Sequence, residues 1–182
     1  MKALRENSYT VDDIYDLPDG ERAELIDGKI YYMAPPSTKH QRLVRKFTYE
    51  IERYIRQHEG DCEVFPAPFA VFLNENNKNY IEPDISVICD KNKINDDGCH
   101  GAPDWIIEIV SPSSRSMDYY RKLLKYRSAG VREYWVVDEE KKNITIYNFE
   151  SDEMKEYKFD ENVPVGIYKD FFIKITNSDQ KD

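Results

Sequence analysis

"DWIIEIVSPSSRSMDYYRKLLKYRSAGVREYWVVD", residues 104–138, is the stretch on which the fold turns. It opens on a short apolar run closed by Ser111-Pro112, with the length and bounds of a buried strand. The spacing then changes. Tyr119, Leu123 and Tyr126 recur at helical intervals, flanked by Ala129 on one side and by Tyr120 and Leu124 on the other. This predicts a helix from about Ser116 to Ala129, ended by Gly130 as a left-handed cap. "EYWVVD" then reads as a second buried strand. Strand, helix and strand in close succession predict an α/β domain on one central sheet.

The pattern extends in both directions. "TVDDIYDLPDG" predicts a short helix with Thr10 as N-cap and Pro18 beyond its end. "RAELIDGKIYYMAPP" predicts a β-hairpin turning at Asp27-Gly28, a favoured type I′ pair. Residues 38–58 carry Leu43, Val44, Phe47, Ile51, Tyr54 and Ile55 at helical spacing, an amphipathic helix. "CEVFPAPFAVFL" is a strand region whose prolines suggest an edge or a bulge. "NENNKN" is a turn, Asp84 to Cys89 a strand, and "DKNKINDDGCHG" a polar loop. "NITIYNF", "EMKEYKF" and "FFIKI" add strands toward the C-terminus. The expected organisation is one domain over residues 1–176 and a polar tail at 177–182.

Of 182 residues, 40% are hydrophobic and 34% charged, which supports a packed core and excludes a disordered chain. No run has the length of a membrane span, and the N-terminus lacks the apolar segment of a secretory signal. Cys62, Cys89 and Cys99 are odd in number and lack metal-ligand spacing, so reduced thiols and a cytoplasmic location are expected. The net charge of −9 argues against nucleic acid. Its distribution argues the other way. Residues 38–58 carry a local +4 and residues 115–132 a local +5, so the rest of the chain holds −18. These are either solvated helix faces or surfaces for phosphates.

Two apolar strands carry acids. Side chains alternate along a strand, so Asp84 shares a face with Ser86 and Ile88, and Glu108 shares one with Ile106 and Val110. A lone carboxylate in such surroundings is protonated, paired with a cation, or bound to a metal. Two carboxylates from neighbouring strands suit a hard divalent ion such as Mg²⁺, and hydrolysis of a phosphodiester at such an ion gains from a nearby ammonium. At about 100° per residue, Lys122 falls on the inward flank of the 116–129 helix, between Ala129 and Tyr126. Lys125 falls on the outer face, and Arg127 lies near the inward stripe. A snorkelling surface lysine is the competing reading of Lys122.

"YIEPDISVI" and the 104–138 stretch, with "AELIDGKIYYMAPPSTKHQRLV" upstream, closely resemble the Uma2 family (DUF820) of PD-(D/E)XK nucleases. The likeness spans roughly residues 10–150. It implies the restriction-endonuclease-like fold, a mixed central β-sheet flanked by helices, and a metal-dependent nuclease site. Asp84 matches the motif aspartate and Glu108 the acid of the second element. Val110 stands where the superfamily has its lysine, a departure shared with Uma2 members, in which the following helix supplies it; Lys122 occupies that place. Glu24 matches a further family acid, as metal ligand or supporting group. His40 matches a family histidine and is expected at the substrate, as are Arg42 and Arg115 in the two basic stretches. Ser111 and Ser113 are expected to shape the strand-to-helix turn.

The function this implies is a Mg²⁺-dependent endonuclease, with Mn²⁺ able to substitute, acting on DNA and working as a possible homodimer. The alternative is a catalytically inactive nuclease fold that binds nucleic acid or a protein partner.

Overall fold

In the computed structural model, which describes residues 8–74, 76–111 and 115–176, the two apolar strands of the 104–138 stretch lie side by side in the middle of a six-stranded sheet. They are β8 (Trp105–Val110) and β9 (Glu133–Asp138), and they run parallel. The other pairs in the sheet are antiparallel, which makes it mixed. The strand order is β11-β10-β9-β8-β5-β3, with β3 at Glu63–Pro66, β5 at Ile85–Ile88, β10 at Asn143–Asn148 and β11 at Glu153–Lys158. Both β8 and β9 are buried along their whole length, as strands covered on two faces must be.

Two helices provide the cover. On one face lies α2 (Thr38–Gln57), which sets Leu43, Phe47 and Ile51 against Trp105, Ile107 and Trp135. On the other face Tyr126 of α3 (Leu123–Ala129) packs on Ile106, Tyr134 and Val136. This division puts Glu108, between Ile106 and Val110, on the α3 side. The α2 cap is Ser37, whose hydroxyl accepts the His40 backbone N–H.

The N-terminal part forms as its local signals direct. Thr10 caps α1 (Val11–Tyr15) in a capping box with Asp13. β1 (Ala23–Ile26) and β2 (Lys29–Tyr32) make a hairpin whose turn, Asp27-Gly28, has both φ angles positive. The hairpin joins the rest through a bridge between Leu25 and Tyr80, and its β1 is fully buried.

Several expectations are corrected. The polar loop after β5 contains two short strands, β6 (Ile94–Asn95) and β7 (Gly98–His100). With β4 (Val71–Phe72) they form a separate small sheet; strands this short leave no readable alternation. A further two-residue strand, β12 (Val163–Pro164), pairs with β13 (Phe172–Ile173). The helix of the central stretch is not uniform, because Met117–Lys122 forms a π-helical segment before α3 begins. Its wider turn breaks the 100° spacing, and Tyr120 and Leu124, expected to flank the inward stripe, are 70% and 69% exposed. The three cysteines are not all reduced. Cys62 and Cys89 form a disulfide, because β3 and β5 pair in a register that sets them side by side, and only Cys99 is free. No helix among the described residues is long and apolar enough to cross a membrane. The expected tail at 177–182, Ser113 and the first seven residues lie outside the described residues.

Candidate active site

Antiparallel pairing of β5 with β8 sets Ser86 opposite Ile106 and Ile85 opposite Ile107. The next step brings Asp84 opposite Glu108. The two acids are therefore neighbours by register, at one end of β5 and within β8. The Asp84 N–H approaches Glu108 Oε2 at 3.5 Å, and Asp84 Oδ2 accepts the Ile109 N–H at 2.7 Å. His40, from the first turn of α2, reaches the same Oδ2 through Nε2 at 3.1 Å.

Lys122 arrives from the π-helical segment. Its ammonium lies 3.0 Å from Glu108 Oε1, 2.9 Å from Glu24 and 3.6 Å from Asp118. Lys122, Glu108 and Glu24 are only 5%, 4% and 5% exposed, so this is a buried ionic cluster. Tyr126 donates its hydroxyl to Glu108 Oε1 at 2.7 Å. Glu24 comes from β1 and also accepts the Glu82 N–H at 3.1 Å. Separate segments of the chain thus meet at one point: the hairpin, the start of α2, the two strands β5 and β8, and the helix after β8.

Burial raises the Glu108 carboxyl to about 7; Lys122 opposes this, while the charges of Asp84 and Glu24 add to it. Burial likewise raises Glu24, again against the pull of Lys122. Burial disfavours the Lys122 ammonium, but Glu108, Glu24 and Asp118 outweigh it and hold the lysine well above its usual range. His40 follows the same logic: burial opposes its charge, and Asp84 wins, so its pKa is raised. Tyr126 is raised by burial and by Glu108, which keeps it a phenol donor.

The donor set has a definite chemistry. Each central acid has one oxygen engaged by protein donors: Asp84 Oδ2 by His40 and Ile109, and Glu108 Oε1 by Lys122 and Tyr126. Asp84 Oδ1 and the weakly contacted Glu108 Oε2 are left to take a hard cation. Among the described residues no three His, Cys, Asp or Glu side chains form a metal cage. An ion held by these two oxygens alone would keep much of its water, as Mg²⁺ does. Glu24, expected as metal ligand or supporting group, shares Lys122 with Glu108.

The acids line an open cleft of about 1200 Å³. Arg115 stands at its mouth, held by Asp138 at 3.1 Å and Glu140 at 2.8 Å. His40 lines the cleft and Arg42 does not; Arg42 is half-buried elsewhere on α2. Sequence reasoning treated Tyr126 as apolar packing and missed its bond to Glu108. The signal was present: Tyr126 lies four residues beyond Lys122, the spacing of side chains that share a helix face.

Residues 11–171 match the Uma2 family, described as "Putative restriction endonuclease". The chain belongs to the Uma2 family. A curated relative, "Uncharacterized protein slr1290" of Synechocystis sp. (strain ATCC 27184 / PCC 6803 / Kazusa), is 28% identical over 137 residues, which are 72% of this chain and 68% of the relative. Among solved structures, a "putative nuclease belonging to DUF820" from Anabaena variabilis ATCC 29413 superposes with a TM-score of 0.70 at 23% identity. The superposition covers 87% of this chain and 89% of that one, and it establishes a shared fold.

Proposed function

We propose that this Uma2 protein is a metal-dependent endonuclease that hydrolyses phosphodiester bonds of DNA. One observation carries the reading: an ammonium from a helix is buried against one of two acids that strand register makes neighbours. Asp84 and Glu108 would hold a Mg²⁺ ion, or Mn²⁺ in its place. When bound, the ion supplies Lewis acidity, lowering the pKa of coordinated water and offsetting charge on the phosphate.

The chain's own residues do the rest. The Ile109 N–H and His40 fix the orientation of Asp84. Tyr126 and Lys122 fix that of Glu108. Lys122 also presents positive charge to the anionic phosphorus centre as attack proceeds. Glu24 and Asp118 keep Lys122 charged and aimed. His40 and Arg115 line the approach of the substrate phosphates.

The test is nicking of supercoiled plasmid by purified protein in Mg²⁺ or Mn²⁺. Asp84→Asn and Glu108→Gln, both near-isosteric, are expected to lower nicking by roughly a hundredfold or more. Unchanged nicking in Asp84→Asn overturns the assignment. DNA bound but never cut, with any divalent ion, selects the inactive binding module instead.

A further inference from the structure

Beside its acids the cleft is apolar. Tyr31, Met33, Pro35, Pro36, Pro68 and Met117 line it, and Pro35 and Pro36 are exposed. This wall runs directly into α2 and His40, so it borders the Asp84 site through the chain itself. Five cations of the two basic stretches are already engaged by carboxylates. Lys46 and Arg53 lie on Glu50, Arg56 on Glu52, Lys125 on Asp27 and Arg127 on Asp152. Carboxylates outnumber lysines and arginines along the cleft. A duplex presents a phosphate charge roughly every 1.7 Å of its axis, and this surface offers little to meet it.

Arg121 is placed differently. Its guanidinium lies over the Tyr31 ring, 5.7 Å from the centroid, and it donates to the Tyr31 hydroxyl. Arg121 is exposed, and Tyr31 is half-buried at the cleft, opposite Glu24 across the hairpin. An aromatic ring extended by a guanidinium plane is a surface on which an unstacked base rests. We infer that the cleft takes an unpaired base beside the phosphate to be cut, so the substrate is single-stranded or locally unpaired DNA. The inference rests on the nuclease reading and narrows it. The base stacks against Tyr31 and the Met33–Pro36 wall, and only the adjoining phosphate meets the charged centre.

The experiment compares a fluorescein-labelled oligothymidylate with a fully paired hairpin duplex of equal phosphate count. Binding is read by anisotropy with Ca²⁺ added, and cutting with Mg²⁺. The strand is expected to bind about tenfold more tightly and to be cut faster. Tyr31→Ala removes most of that preference and Tyr31→Phe keeps it. Pro35→Asp, at an exposed position and with folding checked by its unfolding midpoint, weakens strand binding several-fold and covers the case of a Tyr31→Ala protein that does not fold. A duplex bound and cut as well as the strand overturns the inference, as does an unchanged preference in Pro35→Asp. If that duplex cutting still requires Asp84, the nuclease reading stands without it. Failure to bind or cut either probe removes both.

Discussion

At Glu108 burial and charge pull in opposite directions. Burial lifts its carboxyl from 4.5 to about 7, against Lys122. Between those values the folded protein holds a proton that the unfolded chain has lost. The stability Glu108 contributes is therefore present below the lower value and is lost as pH rises through the upper one. Thermal unfolding of metal-free protein should show this decline, and Glu108→Gln should flatten it. Divalent-ion binding has the opposite slope, because the ion takes the ionised carboxylate: calorimetric affinity should rise from about pH 6 to about pH 8 and then level off. Lys122 offers a second test. Removing it leaves Glu24, Glu108 and Asp118 buried without their cation. Lys122→Met should destabilise by about 3–5 kcal/mol in urea unfolding, and Glu24→Gln added to it should restore part of the loss. A cost under about 1 kcal/mol would show that the cluster is not held by that charge.

Among the elements, the hairpin matters because it delivers Glu24 to Lys122. Its turn depends on Gly28, which sits at φ +73° with a Cβ position blocked by Ser8 Oγ and by the Tyr9 carbonyl. Gly28→Ala should cost at least about 1 kcal/mol, measured by chemical denaturation. An unchanged midpoint would mean that the hairpin's stability does not depend on this turn. The hairpin and α2 were both legible in the sequence, since the Asp27-Gly28 pair and the helical spacing of Leu43, Phe47 and Ile51 are local signals. The π-helical segment was not. No repeat in Met117–Lys122 announces its extra width. Lys122 was nevertheless placed inward by its sequence position, because it shares a flank with Tyr126, which the core takes.

For the molecule as a whole, the disulfide ties edge strand β3 to β5, the strand that follows Asp84. It closes a loop of 27 residues, and by chain entropy Cys62→Ser or added reductant should lower stability by about 2–4 kcal/mol. Equal unfolding midpoints with and without reductant would count against it. Spacing alone could not reveal this bond, nor the pairing of Lys125 with Asp27 and of Arg127 with Asp152. Sequence by itself determined the hairpin, α2 and the two acid-bearing strands, because alternation, helical spacing, caps and turn pairs act over a few residues. It also determined that Glu108 needs a partner, since a carboxylate among isoleucines and valines cannot stand alone. Only the tertiary structure decided which partner: Lys122, gripped in turn by Glu24 from 98 positions away. That choice follows from strand register, and register is settled only when both faces of the sheet are buried at once.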